Sequence, residues 1–273
     1  MYGTPPAPYP RRVVCLTAET TEIAFALGAG ERVVGVPGTA HHPPEARDRP
    51  KVGGFTTFRL DRILGLEPEL VLAFSDLQAD VVRELVRAGV AVLVLNQRSL
   101  GEIFQAILVI GGALGRDAQA RGLVADIQDE IRQIREFSSV WPDRPRVYFE
   151  EWNAPLIAGI RWVSELIEVA GGQDIFPELR ERRDAGGRVV DPGEVVRRNP
   201  EIIVASWCGK LVDLDSIRRR PGWDAIEAVR QGQVHELASE DILSPGPSIL
   251  RGLRALHEIV QDYVVGTGGS GQT

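Results

Sequence analysis

Cysteine is nearly absent from this chain of 273 residues, with Cys15 and Cys208 its only two, so no disulfide framework holds it together. They read as two free thiols. Long hydrophobic runs are absent too, and no stretch approaches the roughly eighteen apolar residues that a membrane helix needs. Positive charge is not in excess: Lys and Arg number 31 against 38 Asp and Glu, a formal net charge of −7. That leaves no general basic footprint for nucleic acid. Enzyme signatures are equally scarce. There is no G-x-S-x-G elbow, no G-x-x-x-x-G-K-[ST] phosphate loop and no G-x-G-x-x-G turn behind a strand pattern. No His-x-x-x-His or Cys-x-x-Cys spacing supports a metal site built by the protein.

What remains is ordinary for a soluble α/β protein: 44% hydrophobic residues and 25% charged, on a chain long enough for one large or two small domains. The opening "MYGTPPAPYPRR" has neither the apolar stretch nor the cleavage pattern of a secretory signal. It implies a cytoplasmic location if the sequence is complete, or a mature form whose signal is gone. The tail "GTGGSGQT" (266–273) has linker composition and is expected to be disordered.

Short apolar runs alternate with helical patterns. "RRVVCL" (11–16), "RVVGV" (32–36), "ELVLAF" (69–74) and "VAVLVL" (90–95) suit buried parallel strands. "TTEIAFALGAG" (20–30) and "ADVVRELVRAG" (79–89) carry helical periods and glycine stops. Such alternation implies mainly parallel sheets covered on both faces. The longest helical pattern runs over 116–140, its stripe of Ala120, Leu123, Val124, Ile127, Ile131, Ile134 and Phe137 facing protein. "WPDRP" (141–145) breaks it, and "RVYFE" (146–150) starts a second α/β series.

The two series repeat one another. "RILGLEPELVLAF" (62–74) aligns with "EVVRRNPEIIVAS" (194–206), Pro68 on Pro200 and Glu69 on Glu201, with matching apolar positions around them. "EAVRQGQVHEL" (227–237) likewise resembles "ELVRAGVAVLVL" (84–95). The economical reading is an N-terminal α/β lobe at 12–113, a bridging helix at 114–140 and a C-terminal α/β lobe at 141–265, with tails at 1–11 and 266–273. Ligands of open α/β sheets sit outside the carboxyl ends of the strands, so two facing lobes imply a cleft there.

The strand-end loops carry Glu19, Thr20, His41, His42, Phe55, Phe58 and Phe74 in the first series, and Glu151, Trp152, Asn153, Trp207, Cys208 and Lys210 in the second. Aromatic residues are only 6% of the chain, and their gathering in these loops suits a large, flat, partly apolar ligand with a few polar anchors. Adjacent histidines such as His41 and His42 diverge in extended backbone, so one at most would reach a ligand or an axial metal position. Cys208 is either a thiol whose pKa Lys210 lowers or a small residue in a tight loop.

Three stretches together resemble the periplasmic-binding-protein family of cobalamin and ferric-siderophore importers: "VVCLTAETTEIAFALGAGERVVGV", "HHPPEARDRPKVGGFTTFRLDRILGLEPELVLA" and "SPGPSILRGLRALHEIV". The marks are Thr21, Glu22, Leu27 and Gly28, then Pro43, Pro44 and Glu45 with Val52 and Gly53, and the likeness covers about 12–262. The resemblance implies two Rossmann-like lobes bridged by one stiff helix, one ligand between them, and little movement on binding. It implies no enzyme and no cofactor built by the protein; the ligand is a metal chelate, and the partner an ABC permease. It places Phe55, Phe58 and Phe74, with Trp152 and Trp207, around a cobalt corrinoid, and Asp80 and Asp213 in the regions that dock on the importer.

Siderophore binders present arginines to their ligands, whereas here only Arg59 and Arg161 lie at the loop edges, which favours a corrinoid. Ala18 stands where the family has proline, followed by acidic Glu19, so that contact differs. The alternatives are a ferric-siderophore or haem binder, a chelatase-like enzyme using His41 or His42 with Glu151 as base, and a partner-binding module with an empty cleft.

Overall fold

A computed structural model describes residues 8–268 and divides into two compact units, the boundary falling between Ile127 and Gln128. Unit 1 runs β1 (Val13–Cys15), α1 (Ala18–Ala26), β2 (Val33–Gly35), α2 (Leu60–Gly65), β3 (Leu70–Phe74), α3 (Ala79–Arg87), β4 (Val92–Leu95), α4 (Leu100–Leu114) and the first turns of α5 (Asp117–Ser138). Its sheet has the order β2-β1-β3-β4, every neighbouring pair parallel. The strand β1 is buried along its whole length, which is why "VVC" shows no polar alternation. Val14, Leu16, Ile63, Val71, Ala73 and Leu85 form the core between this sheet and α2 and α3.

Unit 2 holds the rest of α5, then β5 (Arg146–Asn153), β6 (Leu156–Ala158), α6 (Arg161–Ala170), β7 (Gln173–Asp174), α7 (Pro192–Arg198), β8 (Ile202–Ala205), α8 (Leu214–Arg218), α9 (Glu227–Arg230), β9 (Val234–Glu236), α10 (Ser239–Ile242) and α11 (Ile249–Gly268). Its sheet runs β6-β5-β8-β9, with β7 also on β5; only the β5–β6 pair is antiparallel. Tyr148, Ile203, Trp207 and Trp223 lie in its core. The fold class expected from the sequence, mainly parallel α/β in two Rossmann-like series with one long helix, is the one observed.

The repeated sequence is a repeated device. Helix α2 hands over to β3 through Glu67 and Pro68, as α7 does to β8 through Asn199 and Pro200. Glu67 and Asn199 both take the left-handed backbone, at φ 47° and 45°. The residue after each proline, Glu69 or Glu201, then pins the start of the neighbouring strand. The Glu201 carboxylate accepts from the Arg146 amide at 2.8 Å, and that of Glu69 from the Arg11 and Arg12 amides. Both clasps lie at the amino ends of β1 and β5, so the repeat builds scaffold rather than the loops at the carboxyl ends of the strands.

Three sequence expectations need correction. The helix predicted over 116–140 spans 117–138, because Gly115, left-handed at φ 63°, closes α4 just before it. Phe137 does not face the core: it is 54% exposed and packs edge-on against Trp141 and His257 near the helix end. The tail expected to be disordered from 266 onward is helical as far as Gly268, and the remainder lies outside the described residues. No helix among the described residues is long and apolar enough to cross a membrane.

Candidate functional site

In unit 1 the carboxyl ends of β1 and β3 are tied together by Gln78, a buried side chain. Its Oε1 accepts from the Phe74 amide at 2.9 Å, while its Nε2 donates to the carbonyls of Phe55 at 3.1 Å and Leu16 at 3.4 Å. One amide therefore brings the Phe55 turn to the Phe74 strand end. The turn itself rests on Gly53 and Gly54: Gly54 N–H donates to Thr57 at 2.8 Å, and a Cβ on Gly53 would meet the Thr57 oxygen at 2.3 Å.

The three predicted phenylalanines part company here. Phe55 is exposed at 37%. Phe58 packs against the core of unit 1. Phe74 is buried, with the Arg98 guanidinium 4.8 Å from its ring centroid. Thr56, Phe58, Leu77, Gln78 and Asp80 are among the residues lining an open depression of about 300 Å³ beside them.

The first loop turns inward. Thr17 caps α1, and the Thr20 hydroxyl, also buried, donates to the Thr17 carbonyl at 3.1 Å. Glu19 is 4% exposed, and its Oε1 has no hydrogen-bond partner. Burial pushes its carboxyl up to about 7, against the opposing pull of the Thr17 hydrogen bond and the more distant Arg98 charge. The strand residue beneath it, Cys15, is core as expected, its thiol pushed up to about 12 by burial. His41 is exposed, its carbonyl accepting from Arg47 Nε at 3.0 Å, and His42 is half-buried.

Unit 2 assembles its strand-end residues around Lys210. The Lys210 ammonium lies 4.3 Å from the Trp152 ring centroid and 4.6 Å from that of Trp207, and it donates to Asn153 Oδ1 at 2.6 Å. Both indoles are fixed from behind. Trp207 Nε1 donates to Glu150 at 3.0 Å, and Trp152 Nε1 to the Ala154 carbonyl at 3.0 Å. Glu150, wholly buried, is neutralised by Arg220 through contacts of 2.5 and 2.8 Å. Trp207 is consequently 3% exposed, a buried support, and Trp152 is the half-buried ring.

Cys208 is an exposed residue, but desolvation at its thiol and then the Glu151 charge push its pKa up. Of the two readings of Cys208, the thiol lowered by Lys210 does not hold, because burial and the Glu151 charge dominate at the sulfur. Glu151, the imagined catalytic base, is held by Arg188 at 2.5 and 2.9 Å and by the Ile160 amide at 2.9 Å.

The two residues considered for docking are surface carboxylates at helix starts. Asp80 is in the first turn of α3, its side chain 92% exposed and 3.2 Å from Arg83. Asp213 caps α8 by accepting from the Ser216 amide at 3.0 Å. No group of three or more His, Cys, Asp or Glu among the described residues is placed to hold a metal ion. Gln78, Arg98, Glu150, Arg188 and Arg220 were not singled out from the sequence; only Lys210, beside Trp207 in "SWCGK", carried a readable hint.

The family model described as periplasmic binding protein matches residues 13–240. An uncharacterised ABC transporter substrate-binding lipoprotein, YvrC of Bacillus subtilis, is 27% identical, over 92% of this chain and 80% of its own. A vitamin B12-binding protein of Vibrio parahaemolyticus is 25% identical, over 92% of this chain and 89% of its own. Among solved structures, the periplasmic heme-binding protein RhuT of Roseiflexus sp. RS-1, in apo form, superposes with a TM-score of 0.79. It is 25% identical, over 93% of this chain and 99% of that one.

Proposed function

The chain belongs to the periplasmic binding protein family, and we propose that within it the ligand is a corrinoid of the cobalamin type. The family supplies the substrate-binding proteins of ABC importers, which are periplasmic or otherwise extracytoplasmic and are not enzymes; one relative is a lipoprotein. The chelatase alternative falls with that membership. Small metal chelates are the cargo of such proteins, and an ABC importer is their partner.

The observation that carries the corrinoid is an accessible ring in each unit taken by itself: Phe55, in the turn that Gln78 ties to the β1 and β3 ends of unit 1, and Trp152, beside its lysine near the end of β5 in unit 2. A flat macrocycle is the ligand such rings bury best, at roughly 25 cal/mol per Å² of apolar surface before the cost of association. The likeness to a vitamin B12-binding protein across 92% of the chain supports the same choice. His41 or His42 would reach the axial position of the cargo metal, and Asp80 and Asp213 would meet the importer.

A second reading, haem, is favoured by the likeness to RhuT and by the same histidines; a ferric siderophore is the third ligand class of the family resemblance. Titration of tryptophan emission with cyanocobalamin, haemin and a ferric siderophore separates them. The corrinoid reading requires saturable quenching by cyanocobalamin at one equivalent, weakened in Trp152→Ala. Saturation by haemin alone moves the assignment to haem.

A further inference from the structure

At the carboxyl end of the unit 2 sheet, two of the three cations are held by carboxylates and one is not. Glu150 is taken by Arg220 and Glu151 by Arg188, both in two-contact pairs. Lys210 is the third cation, and its contacts are two indole faces and a neutral amide oxygen. No described carboxylate lies within ion-pair distance of it. One exposed ammonium of this face is therefore held by rings and an amide rather than by a carboxylate.

Its position is prepared rather than accidental. Trp207 is locked to Glu150, and Glu150 to Arg220, whose guanidinium lies 4.5 Å from the Trp223 ring in the core. A continuous spine thus runs from the core of unit 2 to the rings that hold Lys210. The turn that carries it also folds back, the Lys210 amide donating to the Trp207 carbonyl at 3.2 Å and Gly209 taking φ 75°. Exposed cation–π contacts are weak, comparable with the rotamer entropy of a lysine. An incoming anion can therefore take the ammonium without dismantling a strong native pair.

We propose that Lys210 reads the charge of the ligand: a flat ring covers Trp152 while the Lys210 ammonium receives an anionic oxygen carried on the ring's periphery. In a corrinoid that group is the phosphodiester of the nucleotide loop; in a haem it is a propionate. The inference rests on the macrocycle reading above and deepens it, by making the peripheral anion rather than the ring the feature this residue selects.

The test compares wild type, Lys210→Met and Lys210→Arg in titrations with cyanocobalamin, with cobinamide, which lacks the phosphodiester and nucleotide, and with haemin. For cyanocobalamin, Lys210→Met binds roughly tenfold more weakly and Lys210→Arg stays near wild type. Cobinamide binds all three proteins alike, and of the two corrinoids added salt weakens only cyanocobalamin. Equal losses for cyanocobalamin and cobinamide, or no loss for either, overturn the role of Lys210 and leave the corrinoid standing. Haemin binding that depends on Lys210, with neither corrinoid bound, upholds the residue and overturns the corrinoid. A wild-type chain that binds none of the three overturns both.

Discussion

Arg188 and Glu151 meet fork to fork, Nη1 to Oε2 at 2.5 Å and Nη2 to Oε1 at 2.9 Å, with the arginine side chain only 3% exposed. Arg188 also donates to the Ala158 carbonyl, and Glu151 accepts from the Ile160 amide, so the pair fastens the β5–β6 hairpin to the start of α6. Removing one partner of a buried pair leaves the other uncompensated. Arg188→Ala is expected to destabilise the protein by about 3 kcal/mol, while the double change Arg188→Met with Glu151→Leu recovers most of that. Thermal melts of the three proteins check it; a double variant as unstable as the single one would mean that packing, not charge, sets the loss.

Gln78 makes a different prediction, because it joins three segments with one neutral amide. Gln78→Ala leaves the Phe74 amide and the Phe55 and Leu16 carbonyls without that partner, at a cost of about 1–3 kcal/mol. The consequence specific to a joining role is local. Amide exchange in the 53–58 turn is expected to accelerate more than exchange in β4, which Gln78 does not touch. Uniform acceleration across unit 1 would contradict it.

At Gly53 the constraint is steric. Its φ of 155° disfavours a side chain, and an added Cβ would come within 2.3 Å of the Thr57 oxygen and 2.7 Å of the Phe58 Cα, both backbone atoms that cannot swing away. Gly53→Ala is expected to cost about 2 kcal/mol or more and to displace Phe55, whereas Gly28→Ala, with nothing near its Cβ, costs backbone strain alone. Melting temperatures of the two variants rank them.

The scaffold was legible because its signals are local. Buried parallel strands appear as short apolar runs, and the Pro68 and Pro200 junctions repeat along with the glutamates that follow them. Helix α4 carries a capping box at Ser99 and Glu102, but its apolar residues surround the helix instead of forming a stripe, so no periodicity announced it. The site was only half legible. Residue types at strand ends were readable; their orientation was not, since it depends on partners distant in sequence. Trp207 turns inward because Glu150, 57 residues away, accepts its N–H. Phe58 turns inward because a core cluster receives it. The sequence sets Lys210 beside Cys208, yet its contacts are the rings and amide of other positions.

Glu19 is the clearest case of a polar residue whose neighbourhood the sequence hid, and it yields a pH prediction with a definite sign. Burial raises its carboxyl from 4.5 to about 7, so between those values the folded chain binds a proton that the unfolded chain releases. The stability from keeping that proton is therefore full below pH 4.5, falls as pH rises, and is gone above about 7. Its size is at most about 3 kcal/mol. Glu22 on the same helix opposes ionisation and Arg98 favours it, both more weakly than burial does. In Glu19→Gln the amide keeps the shape without the charge, so the variant is expected to gain on wild type steadily from pH 4.5 to 7 and to be the more stable protein at pH 8. Asp174, also raised by burial, titrates in both proteins and cancels in the difference. Denaturation midpoints of the pair across that range decide the matter: parallel curves would mean that Glu19 titrates normally in the folded chain, with water or a counter-charge reaching its carboxyl.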